Sequence, residues 1–186
     1  MKPIAISAGH LPDSKGAFNK TFKIYEHPIV YELALDVTAA LDDFGVDVLF
    51  VPTGTLSQKI AFINKSDCLC VVEIHLNSAP AVASGTECLY WFNSVRSKHL
   101  AVLLQTALVD ELGLRDRGLK EISRRKQRGG FFLRDTNCPA VITESLFLNN
   151  DQDVEDWIIP QTGRDRIVKA HAYGLKWYYR EYLNES

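Results

Sequence analysis

Short apolar, β-branched runs alternate along this chain with longer stretches in which apolar residues return every three or four positions. Ile4 to Ala8 predicts a first strand, and Gly9-His10, Pro12-Asp13 and Gly16 mark a loop after it. From Pro28, a favoured first helical residue, Ile29, Leu33, Val37, Leu41 and Phe44 keep helical spacing until Gly45, a C-terminal stop. Val46 to Val51 predicts a second strand, Leu56, Ile60 and Ile63 a short amphipathic helix, and Cys68 to Leu76 a third strand. Thr86 to Phe92 reads as a fourth strand, and Ser94 caps a helix running through Leu100, Leu104, Leu108 and Leu112 to Gly113. Ala140 to Thr143 is a short strand and Ile167 to Tyr182 a closing helix. Strands alternating with helices imply the α/β class, with a twisted, mostly parallel sheet flanked by helices. Leu114 to Gly130 has no such pattern and is read as a long loop.

A chain of 186 residues without repeats or an interdomain linker is expected to form one domain over its whole length. Apolar residues at 46% and charged residues at 24% are globular values. A formal net charge of -2 gives no electrostatic case for nucleic acid or an anionic membrane. The first ten residues hold too short an apolar run for a signal peptide, and no stretch approaches the roughly 18 apolar residues of a membrane span. Cys68, Cys70, Cys88 and Cys138 lack paired CxxC spacing and are read as free thiols, because buried Cys behaves as a small hydrophobe.

Candidate chemistry gathers at the strand ends. His10 follows the first predicted strand, His75 ends the third, and Glu144 follows Ala140 to Thr143. In open α/β sheets ligands bind beyond the carboxyl ends of the strands, so parallel strands would bring these three to one rim. Glu26 joins them if the first long helix begins on that side. Two imidazoles and a carboxylate are a zinc set that leaves a position open for water, which points to a hydrolase. Singly each residue is weak evidence: a lone His is more often structural, and a Glu at a helix start commonly serves the helix dipole. Their joint placement carries the argument. His27 rivals Glu26 as a ligand, and spacing does not separate them. His99 and His171 fall inside helices without a visible partner and are read as structural. The basic residues Arg115, Arg117, Lys120, Arg124, Arg125, Lys126 and Arg128 crowd the irregular segment, which is either a solvated basic loop or one facing an anionic substrate.

Six motifs occur in order along the chain: Ile6-Ser7-Ala8-Gly9-His10; Glu26 ahead of an amphipathic helix; Glu73-Ile74-His75-Leu76-Asn77-Ser78; Ser84-Gly85-Thr86-Glu87; Arg117-Gly118-Leu119-Lys120; and Pro139-Ala140-Val141-Ile142-Thr143-Glu144-Ser145-Leu146-Phe147-Leu148-Asn149-Asn150. Together they resemble the zinc-dependent N-acetylmuramoyl-L-alanine amidases of the amidase-3 type, from Ile4 to Tyr182. The resemblance implies cleavage of the amide between N-acetylmuramic acid and L-alanine of the peptidoglycan stem peptide. It implies Zn2+ held by His10, Glu26 and His75, favours Glu26 over His27, and makes Glu144 the catalytic carboxylate. Asn77, Arg117, Arg124 and Arg125 are expected to face the substrate. Two departures, Leu11-Pro12 where the family commonly has two glycines and Leu146 where it has one, bear on the groove and on the backbone near Glu144.

A wall hydrolase without a signal peptide is expected to be a phage or prophage endolysin. It would be a monomer made in the cytoplasm and released to the wall when the membrane opens. A domain cut from a longer secreted enzyme is the competing origin. Another zinc peptidase of wall peptides, carboxypeptidase or endopeptidase, and a non-catalytic wall-binding module are the alternative functions.

Overall fold

The computed structural model describes residues 2–79 and 82–185. At its centre is a six-stranded sheet. Strands β1 (Ile4–Ala8), β4 (Val48–Phe50), β5 (Cys70–Asn77) and β8 (Ala140–Phe147) run parallel in the order β4-β1-β5-β8. Beyond β8 the direction reverses, because β6 (Thr86–Trp91) pairs antiparallel to β8 and carries β7 (Asp116–Ile122) parallel to itself on the outer edge. A small antiparallel pair, β2 (Phe18–Asn19) and β3 (Ile24–Tyr25), lies within the connection after β1.

Helices cover both faces, and alternation along the strands decides which residue meets which layer. Ile4, Ile6, Cys70, Val72, Ile74 and Val141 face α1 (Glu26–Asp43), α3 (Val95–Leu112) and α6 (Gln161–Glu185), meeting Leu33, Leu100, Leu104 and Leu175. Ala5, Val71, Ala140 and Ile142 face the smaller layer of α2 (Leu56–Lys65) and α4 (Gly130–Asp135), meeting Ile63, Phe132 and Leu133. Each such fully buried large side chain contributes about 1.5–3 kcal/mol of transfer free energy. Odd-numbered β5 residues point to the thinner layer, and Glu73 and His75 share that face with Val71.

Two sequence expectations are corrected here. Leu114 to Gly130 is not one long loop, since Asp116–Ile122 forms β7 and the irregular part shrinks to 123–129. An edge strand presents one side to solvent and takes charges there, so Arg117, Lys120 and Glu121 obscured its pattern. Glu144 lies inside β8 and not beyond it. All eight residues of that strand are buried because layers cover both its faces, so the polar run Thr143, Glu144 and Ser145 is no boundary. A short helix α5 (Asp151–Asp153) passing into a π-helical turn (Val154–Ile158) also went unread.

Candidate metal centre and catalytic cleft

Glu26 is the first residue of α1 and is fixed by backbone on two sides. Its Oε2 accepts from the amide of Ala17 at 3.0 Å and its Oε1 from the amide of Leu76 at 3.0 Å. The same oxygens meet the two histidines: His10 Nε2 lies 3.0 Å from Oε2, and His75 Nδ1 lies 2.9 Å from Oε1. One donor atom from each of the three residues falls within 4.8 Å of the others, the only such metal-capable group among the described residues.

Two glycines make the room. A Cβ on Gly9 would stand 2.4 Å from His75 Cε1, and one on Gly16, at φ +75, would stand 2.4 Å from His10 Cδ2 and 2.5 Å from Glu26 Oε2. His10 itself holds a left-handed backbone at φ 61, uncommon for a residue with a Cβ and a form of local strain found at functional sites.

His75, Glu144 and Glu87 form a row across β5, β8 and β6, each directly opposite the next. Glu144 is 5% exposed, and its Oε2 has no hydrogen-bond partner among the described residues. Burial, opposed by the positive charges of His75 and Arg128, raises its pKa to about 7. Glu87, also buried, accepts from Asn77 Nδ2 at 2.8 Å, Arg117 Nε at 3.0 Å and Arg128 Nη2 at 2.7 Å. Arg128 also donates to Asn77 Oδ1 at 2.9 Å and comes within 3.8 Å of Glu144 Oε1. All of these border a cleft of about 580 Å³ that holds His10, Glu26, His75 and Glu144 on one wall and Arg128 and Phe131 on another, except Glu87 and Arg117, which stand behind Arg128.

The other site residues proposed from sequence are placed as follows. Asn77 lines the cleft, while Arg117 packs over the Phe147 ring behind it. Arg124 is exposed, and Arg125 is engaged with Asp135 at 2.6 Å and stacks over Phe131; neither lines the cleft. His27 turns away, donating from Nδ1 to the Gly9 carbonyl. His99 pairs with Glu181, and buried His171 lies against Thr143 Oγ1 and the Ile167 carbonyl, both structural. All four cysteines are free thiols.

Sequence reading missed Glu87 and Glu73. A charged residue at a strand position facing the thin layer was the available signal, since a buried carboxylate needs a partner. Glu73 is 6% exposed; its Oε1 lies 3.0 Å from His75 Nε2, and its Oε2 accepts from Ser7 Oγ at 2.9 Å and Lys59 Nζ at 3.2 Å. Burial alone would raise the pKa of Glu26 and Glu73, but hydrogen bonds from the histidines outweigh it. Glu26 falls well below the usual carboxylate range, Glu73 to about 2. Burial likewise works against a charged His75, and the bonds to Glu26 and Glu73 reverse that, lifting it to about 10.

The residues fit a divalent metal. Two imidazoles and a pinned carboxylate converge from three elements, two glycines leave their volume free, and the orphaned oxygen of Glu144 is buried beside them. That donor set suits zinc and leaves a coordination position open.

A sequence profile of the N-acetylmuramoyl-L-alanine amidases matches residues 4–176. Among curated proteins, the uncharacterized protein YqiI of Bacillus subtilis is 28% identical over 184 residues, covering 96% of this chain and 85% of that one. The probable cell wall amidase LytH of Staphylococcus saprophyticus is 27% identical, covering 97% of this chain and 59% of its own length. The crystal structure of N-acetylmuramoyl-L-alanine amidase from Clostridium difficile 630 superposes with a TM-score of 0.86 at 26% identity, over 96% of this chain and 97% of that one.

Proposed function

Because the chain belongs to the N-acetylmuramoyl-L-alanine amidase family, we propose that it is a zinc hydrolase that cleaves the amide between N-acetylmuramic acid and the L-alanine of peptidoglycan stem peptides. The observation that carries this reading is the convergence of His10, Glu26 and His75 beside a buried carboxylate with an unpartnered oxygen. His10, Glu26 and His75 would hold the ion. A zinc bound there would polarise the amide carbonyl and lower the pKa of a water towards about 7.

Everything else is the work of the chain. Glu144, with a pKa near neutrality, takes the proton from the attacking water and returns it to the departing nitrogen. Its burial keeps the carboxylate desolvated and strengthens its pull on a proton. Arg128, already oriented by Glu87 and Asn77, offers positive charge at the cleft wall to the anionic carboxylates of a stem peptide. Phe131, Phe132 and Ile142 give the cleft an apolar wall for the sugar and alanyl methyl groups.

Digestion of purified peptidoglycan tests the reaction. New L-alanine amino termini support the amidase; other new termini would move the chain to the wall peptidases, and no solubilisation to a binding module. The endolysin-type setting belongs to the same proposal. Expressed inside a bacterium, the protein should leave cells intact until a pore-forming agent opens the membrane, and then lyse them. Lysis that never follows permeabilisation would remove that setting without touching the chemistry.

A further inference from the structure

Lys59, Glu73 and Ser7 form a polar cluster inside the thin layer beside His75; Glu73 borders the cleft, and Lys59 and Ser7 lie outside its lining. Lys59 is 5% exposed, Glu73 6% and Ser7 0%. Lys59 reaches out of α2 to donate to the carbonyl of Ala8 and to Glu73, and its Nζ also stands 3.5 Å from the carbonyl of His10. Ser7 and Glu73 are direct partners across β1 and β5. The cluster therefore joins the strand that leads into one histidine to the strand that carries the other.

His75 is sandwiched between carboxylates, with Nδ1 at 2.9 Å from Glu26 and Nε2 at 3.0 Å from Glu73. A neutral imidazole carries one N–H and one lone pair. Glu26 sits on the side where His10 also converges, so Nδ1 is the nitrogen facing the ligand set and its lone pair must be free. The proton then belongs on Nε2, where Glu73 accepts it. Glu73 keeps its charge in a buried place because Lys59 and Ser7 satisfy its other oxygen, and a buried carboxylate without partners would not persist.

Resting on the zinc reading of this site, we infer that Glu73 is a positioning residue for His75. It fixes the Nε2–H tautomer and the ring angle that present Nδ1 to the metal, while Lys59 holds both Glu73 and the backbone of His10. Outer partners of this kind are worth about 10–100-fold in metal affinity. The competing view makes Glu73 only the counter-ion of Lys59, a matter of folding and not of metal.

Zinc affinity, read by competition with a chromogenic chelator, separates the two. Glu73→Gln keeps size but loses the charge, and its zinc affinity should fall about 10–100-fold. The double variant Glu73→Gln with Lys59→Met removes both charges, so no unpaired ammonium remains, and it should show the same loss. Folding is followed through the melting temperature of metal-free protein. Wild-type affinity in a folded Glu73→Gln protein would overturn the inference and leave Glu73 a counter-ion. The 15N spectrum of zinc-loaded wild type needs no variant: a proton on Nε2 and metal on Nδ1 of His75 is expected, and the reverse would overturn it. Wild type that takes up no zinc would sink the metal reading itself, an outcome distinct from either.

Discussion

His75 and Glu144 stand directly opposite one another on neighbouring parallel strands, yet their side chains are held in different ways. The His75 ring is locked between Glu26 and Glu73, whereas Glu144 leaves one oxygen unpartnered. A ligand must be immobile and a proton carrier must have a free lone pair, which is the division of labour proposed above for His75 and Glu144.

Purified protein should hold one zinc per chain, and a chelator should abolish activity that zinc restores. His10→Ala and His75→Ala should lower the metal content measured by atomic spectroscopy, and His99→Ala, whose ring pairs with Glu181 on the surface, should not. Full activity in thoroughly metal-stripped protein would contradict the site.

Glu144→Gln should keep zinc and fold while turnover falls about 10²-fold or more, the scale of lost general acid-base help. The Michaelis constant should change far less, since the loss falls on the transition state. Loss of zinc from this variant would make Glu144 a ligand.

Among the basic residues of the irregular segment, only Arg128 lines the cleft. Arg128→Gln should raise the substrate concentration needed for half-maximal rate, more at low salt than at high, because exposed charge is screened. Arg124→Gln should leave it near wild type, its side chain lying outside the cleft. Equal effects at both positions would return the segment to a diffuse electrostatic role.

The pH dependence of stability in metal-free protein offers a separate check on Glu144. Its folded pKa of about 7 lies above the unfolded value of about 4.3, so its favourable contribution is complete below that lower value and is lost as pH rises through 7. His171 works in the opposite sense. Burial lowers it to about 4, so its contribution is present above its unfolded value of about 6.5 and is lost as pH falls through 4. The two oppose each other between about pH 4 and 7. Glu144→Gln removes one of them and leaves His171 and every other group in place. Chemical denaturation should show the variant gaining on wild type by up to about 3 kcal/mol between pH 4 and 8. A constant difference across that range would mean that Glu144 is not buried at the cost its setting implies.

The three central parallel strands, and with them His10 and His75, were legible because buried apolar runs end at residues that have no place in a core. Glu144 was singled out as the residue after a short strand, but its position inside β8 was not legible, since a strand covered on both faces shows no polar boundary. Edge strand β7 escaped because its charges face solvent on one side. Lys59 and Glu73 were hidden for another reason: a charge inside an amphipathic helix or a strand looks solvated until its partner is known, and their partners lie across the fold. Arg128 could be named as one of a basic group, but only the turn before α4 decides that it, and not Arg124 or Arg125, reaches the cleft.

The row of His75, Glu144 and Glu87 also acts as a ruler. Neighbouring strands in a sheet lie about 4.8 Å apart, a pitch fixed by backbone hydrogen bonds and indifferent to side chains. The interval from the strand of His75 to the strand of Glu144, and from there to the strand whose carboxylate steadies Arg128, is therefore graduated in units that no loop can stretch. Insertions around the cleft can reshape its walls, but the gauge that spaces His75, Glu144 and Glu87 is cut into the sheet itself.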